Sequence, residues 1–158
     1  MPIPRELLGL PLVKRQRVVK VCPHKYLSEY DASLWIDGNI SIISSAAAFI
    51  GKYDLQKTPY FVKRHPARDC VYREAEKVIQ LKKDSPAIVR PQVEGYKKEG
   101  FPEKFGLFET SVILRRHNQR EVAVFDNMWA SEIMRGSHRD QLSFDSCRWK
   151  TGLEIGKL

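Results

Sequence analysis

A polar triplet, Asp37-Gly38-Asn39, follows a short apolar run and carries the residue types best suited to chemistry. Ser33 to Ile36 read S-L-W-I, without glycine or proline, and predict a strand that packs on both faces. Asp37 would then follow the carboxyl end of a central strand, the edge at which open α/β sheets bind ligands. The oxygens of Asp37 and Asn39 suit a hard divalent cation, Mn²⁺ or Mg²⁺, that carries a diphosphate.

The same letters also fit a β-hairpin. Gly38-Asn39 lies between S-L-W-I-D and I-S-I-I-S, with glycine at the first turn position. Local pattern alone favours the hairpin. In that alternative, residues 33–37 and 40–44 are adjacent antiparallel strands, and Asp37 is an ordinary turn residue.

The rest of the chain supplies elements that would position this triplet. Valines in residues 15–27 leave strand and helix both open, and Tyr60 to Lys63 predict a short strand that ends before Pro66. Ser111 to Leu114 predict a second buried strand. Four helices are also predicted. The first follows Asp69, which would cap it, and the second begins at Pro86 and is interrupted at Pro91. The third covers residues 121–135, and the fourth begins at Asp140.

Five segments resemble one known family in their order along the chain. They read E-Y-D-A-S-L-W-I-D-G-N-I, K-R-H-P-A-R-D-C-V-Y-R-E-A, E-G-Y-K-K-E-G-F-P, G-L-F-E-T-S-V-I-L-R-R-H and S-H-R-D-Q-L-S-F-D-S-C-R-W-K. The family comprises glycosyltransferases related to plant mucilage and bacterial surface-polysaccharide enzymes, formerly a domain of unknown function. The resemblance covers roughly residues 20–150 and implies an α/β fold, a partial glycosyltransferase A-like mixed sheet flanked by helices.

The resemblance also implies an activity and a site. The activity is transfer of a sugar, of the hexosyltransferase type, from a nucleotide-sugar donor to a hydroxyl acceptor in polysaccharide synthesis. Asp37 and Asn39 form a DxD-like metal site, and Asn39 replaces a second aspartate, which lowers its charge. The implied donor-binding residues are Lys20, His24, Asp37, Lys63, His65, Arg68 and Gln141.

Two acids in the resembling segments are the candidate catalytic residues. Glu109 lies where a loop enters an apolar strand, and partial desolvation there suits a general base. Asp140 begins a helix, whose free N–H groups favour a charged carboxylate that orients sugar hydroxyls. We therefore assign the base role to Glu109 and the sugar-binding role to Asp140.

Composition limits the alternatives. The chain has 158 residues and predicts one domain, with residues 1–14 as an extended arm. Three widely spaced cysteines predict buried, reduced thiols in a cytoplasmic protein, and no apolar run is long enough to span a bilayer. The net charge of +8 is compatible with peripheral contact with an anionic membrane at its inner face.

Two other interpretations stay open at this point. Only 36 residues precede Asp37, too few for the nucleotide-binding half that this fold usually places there, which predicts an N-terminally truncated and even inactive relative. A non-catalytic basic module for nucleic acid or membrane is the other interpretation. The basic residues are scattered and no base-stacking motif is visible, which argues against nucleic acid. The partners that the resemblance implies are a nucleotide-sugar donor and a saccharide or lipid-linked acceptor.

Overall fold

The computed structural model describes residues 7–158. Within this range the chain forms four strands, six α-helices and a 3₁₀ turn at Pro23–Lys25. The strands are β1 (Ser33–Ile36), β2 (Tyr60–Arg64), β3 (Phe108–Arg115) and β4 (Gly156–Lys157). The helices are α1 (Leu12–Val21), α2 (Ala46–Ile50), α3 (Val71–Gln80), α4 (Pro86–Lys98), α5 (Arg120–Arg135) and α6 (Gln141–Thr151).

The strands form one mixed sheet in the order β1-β3-β2-β4. β3 is antiparallel to both β1 and β2, and β4 is parallel to β2. This mixed α/β sheet flanked by helices agrees with the fold class expected from the sequence. The predicted central position of the strand before Asp37 is wrong, because β1 lies at an edge of the sheet and all four of its residues are only half-buried.

The hairpin alternative is also wrong. The chain does turn sharply after β1, since the Ile40 amide donates to the Asp37 carbonyl at 3.0 Å. Residues 40–44, however, form no strand, and β1 pairs with β3, which lies much later in the chain. Asp37 therefore ends a strand, and the residues that follow it form a loop.

Antiparallel pairing with β3 brings several strand ends to one edge of the sheet. β2 ends opposite the first residue of β3, Phe108, and β1 ends opposite its fifth, Val112. There the Asp37 amide donates to the Ser111 carbonyl at 2.8 Å, and Lys63 pairs with Glu109 across the β2–β3 ladder. A register shift between Val62 and Lys63 occurs just before this edge. Such irregularities are common beside functional sites.

Two apolar clusters hold the helices on the sheet. The larger one centres on α5, whose Val122, Phe125, Trp129 and Ile133 are fully buried at helical spacing. Phe144 of α6 packs edge-on against Trp129 with the ring centroids 4.9 Å apart. The smaller cluster joins α3, α4 and the first turn of α6. These contacts fix the beginning of α6, where Asp140 lies, relative to the sheet.

Several helix boundaries differ from the sequence prediction. The ambiguous stretch 15–27 contains the end of α1 and the 3₁₀ turn at Pro23–Lys25, and α1 already begins at Leu12. Residues 12–14 therefore belong to α1 and not to an extended arm, while residues 1–6 of that predicted arm lie outside the described residues. The residue that precedes α3 is Cys70, so Asp69 does not cap that helix. α4 continues through Pro91 without interruption.

A buried polar network joins β2, β3, α1 and α5. The Arg115 guanidinium donates to the Tyr60 hydroxyl at 2.7 Å and to Asp126 Oδ1 at 3.0 Å, and also to the Lys20 carbonyl near the end of α1. Arg115, Asp126 and Tyr60 are all at most 1% exposed. The network therefore satisfies one of the free carbonyls at the end of α1 and fixes the backbone of Lys20.

Two further expectations concerned buried cysteine thiols and the absence of a membrane-spanning segment. Cys22, Cys70 and Cys147 are free and buried, as predicted. Burial raises the pKa of the Cys22 thiol to about 11, so this thiol is protonated at neutral pH. Between residues 7 and 158 no helix is both long and apolar enough to cross a membrane.

Candidate active site

A buried lysine joins the two halves of the candidate site. The Lys20 ammonium lies 3.1 Å from Asp37 Oδ1 and 2.7 Å from Asp140 Oδ2. The Lys20 side chain is only 1% exposed, and Arg17 of the same helix lies 3.5 Å from Asp140 Oδ2. Lys20 was predicted to bind donor phosphates. In the structure its charge is shared by two carboxylates that are far apart in sequence.

Trp35 is a second residue, besides Lys20, that holds the carboxylate of Asp37. Residues 35 and 37 share a face of β1, because side chains alternate along a strand. The Trp35 indole N–H donates to Asp37 Oδ1 at 2.7 Å, and the Lys20 ammonium lies over the indole ring, 5.8 Å from its centroid. One oxygen of Asp37 is thus held by two donors. No hydrogen bond or ion pair within the described chain engages the other oxygen, Oδ2.

Asp140 lies at the beginning of α6, as the sequence predicted. Its Oδ1 accepts a hydrogen bond from the Gln141 amide at 3.0 Å, and its carbonyl accepts one from the Trp129 indole at 2.8 Å. The carboxylate is therefore both a helix cap and a partner of Lys20. The Gln141 side-chain nitrogen is buried and has no hydrogen-bond partner among residues 7–158.

Glu109 lies at the same edge of the sheet as Asp37 and faces a different set of partners. Its Oε1 accepts a hydrogen bond from the Ser111 hydroxyl at 2.7 Å, and its Oε2 lies 3.7 Å from the Lys63 ammonium. The Glu109 side chain is 30% exposed and that of Lys63 is 54% exposed. Ser111 links the two acids, because its carbonyl accepts from the Asp37 amide.

His65 and Arg68 form a compact turn after β2. His65 Nδ1 accepts hydrogen bonds from the Ala67 and Arg68 amides at 3.1 and 3.0 Å. The Arg68 guanidinium contacts both His65 and Glu74 of α3. Burial, with Arg68 as the second cause, lowers the pKa of His65, so the ring is neutral at pH 7. His65 shapes the turn, and Arg68 enters it already paired with an acid.

His24 is directed toward α5. Its Nε2 lies 3.3 Å from the Asn127 side-chain oxygen, and its Nδ1 is buried without a partner in the described part of the chain. Burial lowers the pKa of His24, so this ring is also neutral at pH 7. The structure thus joins Lys20, Asp37 and Asp140 directly, places Lys63 and Glu109 beside them, and gives His24 a contact outside that group.

The oxygens of Asp37 and Asn39 fit a cation that is completed by other ligands. Asp37 Oδ2 is unengaged, Asn39 is exposed in the turn, and both side chains offer oxygens to a hard ion. Among residues 7–158 no group of three or more His, Cys, Asp or Glu side chains is arranged to hold a metal ion. Mg²⁺ and similar ions are often bound through one or two protein oxygens together with water and substrate phosphates.

Sequence reasoning missed three contacts of this site. Trp35 was treated only as a strand residue, although its position two residues before Asp37 places both side chains on one face. Ser111 was assigned only to a strand, and the contact of Arg17 with Asp140 was not predicted. Helical spacing of Arg17 and Lys20 was a usable signal. Nothing local in the sequence indicates that Ser111 contacts Glu109 or that Lys20 reaches Asp140.

A model of a known protein family covers most of this chain. Residues 12–155 match the model of the TOD1/MUCI70 glycosyltransferase-like domain. The chain belongs to this family. The match includes all the candidate site residues, from Lys20 to Gln141, and confirms the family resemblance inferred from the five segments.

One curated relative is the "Probable hexosyltransferase MUCI70" of Arabidopsis thaliana. The two proteins are 31% identical over 143 residues, which cover 85% of this chain and 24% of the relative. The chain thus spans about a quarter of the relative's length. No solved structure matches the chain.

The Lys20 bridge leads to a stability prediction. Replacing Lys20 with methionine keeps the length of the side chain but leaves Asp140 buried with only the more distant Arg17. We expect the free energy of unfolding to fall by about 2–3 kcal/mol, near the lower end for a broken buried ion pair, because Asp37 is partly exposed. Urea unfolding measures this. Lys25→Met, at an exposed lysine, is the control, and equal stabilities of the two variants would contradict the bridge.

Proposed function

We propose that this domain transfers a hexose from a nucleotide-sugar donor to a hydroxyl group of an acceptor. The observation that supports this most directly is the Lys20 bridge, which brings Asp37 and Asp140 together in a chain of the glycosyltransferase-like family. Glu109 lies at the same edge of the sheet, linked to Asp37 through Ser111. Sugar transfer needs a neutralised diphosphate, a bound sugar and a base, and these residues match those three needs.

Asp37 and Asn39 would hold a divalent cation together with the donor diphosphate. A bound cation supplies charge neutralisation of the leaving group. The Trp35 and Lys20 contacts hold one oxygen of Asp37 and leave Oδ2 for this purpose. Lys63 is the exposed cation at the same edge, and we assign it to the outer face of the diphosphate.

Glu109 serves as the base in an inverting transfer. Its carboxylate takes the proton of the acceptor hydroxyl while the hydroxyl oxygen bonds to the anomeric carbon. The bond from that carbon to the phosphate oxygen breaks, and the nucleoside diphosphate leaves with the bonding electrons. Ser111 orients the Glu109 carboxylate by its hydrogen bond, and Asp140 with Gln141 holds the sugar hydroxyls.

The same proposal indicates which class of acceptor the domain would use. A growing saccharide or a lipid-linked sugar presents the hydroxyl that Glu109 needs, and either suits polysaccharide synthesis. The name of the Arabidopsis relative specifies a hexosyl group, and we propose the same class of sugar here. Peripheral contact with an anionic membrane stays a prediction from the net charge of +8.

Donor binding is testable without knowledge of the acceptor. We expect uridine or guanosine diphosphate to bind in the presence of Mn²⁺ and to lose at least about tenfold in affinity when a chelator replaces the metal, because Asp37 and Asn39 contact the diphosphate through the cation. Titration calorimetry measures both constants.

The matched variants are Asp37→Asn and Asp54→Asn. Asp37→Asn should remove the metal dependence, whereas Asp54→Asn, at a carboxylate that caps an exposed turn, should leave it unchanged. Binding of equal strength with Mn²⁺ and with chelator would argue against the metal role. A steep loss of binding with salt and no effect of Asp37→Asn would instead support the non-catalytic basic module.

A further inference from the structure

Asp84 lies in the linker between α3 and α4 and belongs to none of the five resembling segments. Its side chain is nevertheless largely buried, with 7% of its surface exposed. One carboxylate oxygen, Oδ1, accepts a hydrogen bond from the neighbouring Ser85 amide at 2.7 Å. The other oxygen, Oδ2, contacts residues of the loop between α5 and α6, residues 136–140, which are more than fifty positions later in the chain.

Three polar groups of the 136–140 loop converge on Asp84 Oδ2. The Ser137 hydroxyl donates at 2.5 Å, the His138 amide donates at 3.2 Å, and His138 Nδ1 lies 2.9 Å away. Burial opposes ionisation of Asp84, but the hydrogen bonds from Ser137 and Ser85 outweigh it and lower the pKa of this carboxyl. Asp84 is therefore charged at neutral pH, and a charged acceptor forms the stronger hydrogen bonds.

These contacts continue along the loop to the residue before Asp140. The Ser137 hydroxyl, which donates to Asp84, also accepts a hydrogen bond from the Arg139 amide at 3.0 Å. The Ser137 amide in turn donates to the Gln92 side chain of α4 at 2.8 Å. The amides of residues 137, 138 and 139 thus all have side-chain acceptors, which fixes the backbone of the loop just before α6 begins.

The beginning of the same loop is held by other residues. The Lys14 ammonium donates to the carbonyls of Met134 and Gly136 at 2.8 and 3.2 Å. The backbone of Gly136 lies so close to the Gln92 side-chain amide that an added Cβ would overlap it. Lys14 and Gln92 therefore hold the start of the loop, and Asp84 holds its middle.

The loop ends at Asp140, whose carboxylate has fixed partners. Oδ1 accepts from the Gln141 amide at 3.0 Å, and Oδ2 lies 2.7 Å from the Lys20 ammonium. Both distances depend on the position of the Asp140 backbone, because the side chain is short. Within residues 7–158 no hydrogen bond or ion pair joins Asp84 directly to Asp140. An effect of Asp84 on that carboxylate must therefore pass through the loop.

We propose that Asp84 is a positioning residue for Asp140: it fixes the 136–140 loop and thereby holds the Asp140 carboxylate beside Lys20 and toward the sugar of the donor. The last part rests on the proposed function, to which the sugar-binding role of Asp140 belongs. Binding groups need such support, because a displacement of about 1 Å is enough to lose much of their effect. Asp84 itself contacts neither donor nor acceptor in this proposal.

A double-mutant cycle tests the link between the two acids without any ligand. Asp84→Asn and Asp140→Asn should each lower the stability measured by urea unfolding. The double variant should lose less than the sum of the two single losses, because the pair of Asp140 with Lys20 is already displaced when Asp84 is replaced. Asp54→Asn combined with Asp140→Asn is the control cycle. Its losses should add, since Asp54 caps an exposed turn.

Calorimetry with Mn²⁺ tests the consequence for the sugar. Pyrophosphate measures the diphosphate site alone, and the second ligand is uridine diphosphate glucose or guanosine diphosphate mannose, whichever the unmodified protein binds more tightly. Asp84→Asn should lower the affinity for the nucleotide sugar by about tenfold, the effect of losing one hydrogen bond from a charged group to the sugar. The affinity for pyrophosphate should stay within about twofold.

Two further variants keep this result specific. Ser137→Ala removes the hydroxyl that links Asp84 to the Arg139 amide and should cause the same selective loss, so the test does not depend on one substitution. Ser85→Ala removes the cap of α4 at the neighbouring position and leaves the loop contacts of Asp84 intact. This control should be less stable than the unmodified protein but should bind both ligands as before.

The outcomes separate this inference from the function on which it rests. Additive losses in the cycle of Asp84 and Asp140 would overturn the positioning role. Unchanged affinity of Asp84→Asn for the nucleotide sugar would overturn it too, as would an equal loss for both ligands, which indicates a general loss of structure. Failure of the unmodified protein to bind either nucleotide sugar would overturn the proposed function, and the unfolding cycle would still decide whether Asp84 positions Asp140.

Discussion

Replacing Glu109 with glutamine should lower the rate of sugar transfer by about 10²–10⁴-fold, the usual contribution of a general base. Glutamine keeps the size of the side chain and can still accept the hydrogen bond from the Ser111 hydroxyl, now 2.7 Å from the carboxylate. It cannot take the proton of the acceptor. Donor affinity should stay within about twofold, because the proposed role of Glu109 is on the acceptor side of the reaction. Transfer assays with radiolabelled donor and calorimetry give the two quantities.

Asp140→Asn provides the contrasting result. This substitution removes the charge that pairs with Lys20, so both donor affinity and transfer should fall. Glu94→Gln, on the exposed side of α4, is the neutral control for both assays. Undiminished transfer by Glu109→Gln would remove Glu109 from the base role. Transfer lost in Glu109→Gln together with donor binding would make Glu109 a binding residue instead.

Replacing Arg115 with methionine should destabilise the protein by about 3–5 kcal/mol, the cost of breaking a fully buried ion pair. The variant leaves Asp126 without its cation, and the Tyr60 hydroxyl and the Lys20 carbonyl lose their donor. Arg116→Met, at the next position and near the surface, should cost less than about 1 kcal/mol. Urea unfolding at pH 7 compares the two variants.

A second substitution separates the charge from the packing. Asp126→Asn in the Arg115→Met background removes the unpaired acid, so the double variant should be more stable than Arg115→Met alone. Stability of the double variant equal to the sum of the two single losses would argue against a coupled pair. This cycle also shows how firmly β3 holds the end of α1 and, through it, Lys20.

The pH dependence of Arg115→Met follows from the environment of Asp126. Burial raises the pKa of Asp126 to about 7 even beside Arg115, whereas the unfolded carboxyl ionises near 3.8. A raised folded-state pKa means that the folded protein binds more protons between these values, so stability falls as the pH rises through them. Without Arg115 the folded-state pKa rises further. The deficit of Arg115→Met should therefore be larger at pH 8 than at pH 5.

Local patterns in the sequence were sufficient for most elements of the fold. The apolar stripe of α5, and the serine cap and first-turn proline of α4, predicted helices close to their observed bounds. Ser33 to Ile36 and Tyr60 to Lys63 were correctly expected as strands, and β2 extends one residue further, to Arg64. The errors occurred where local rules compete. Asp69 satisfied the rule for a cap, but α3 begins after Cys70, and proline rules overestimated the effect of Pro91.

The order of the strands could not be predicted from the same patterns. Side-chain alternation indicates that a segment is a strand, but not which strand it pairs with. β1 was expected at the centre of the sheet because S-L-W-I is apolar. It lies at the edge, since β3 has an extended register with both β1 and β2 and separates them. Both β1 and β2 nevertheless end beside the first five residues of β3, where Ile36 pairs with Val112 and Arg64 with Phe108.

The amino-acid sequence by itself determined the family, the residue types of the candidate site and the strand that ends at Asp37. These properties depend on motifs and periodicities that span a few residues. Only the tertiary structure decided that Lys20 is buried between Asp37 and Asp140 and that Glu109 faces Ser111 and Lys63. Several of these contacts join residues that are far apart along the chain. Their geometry depends on how α1, α6 and the sheet pack, which no local spacing encodes.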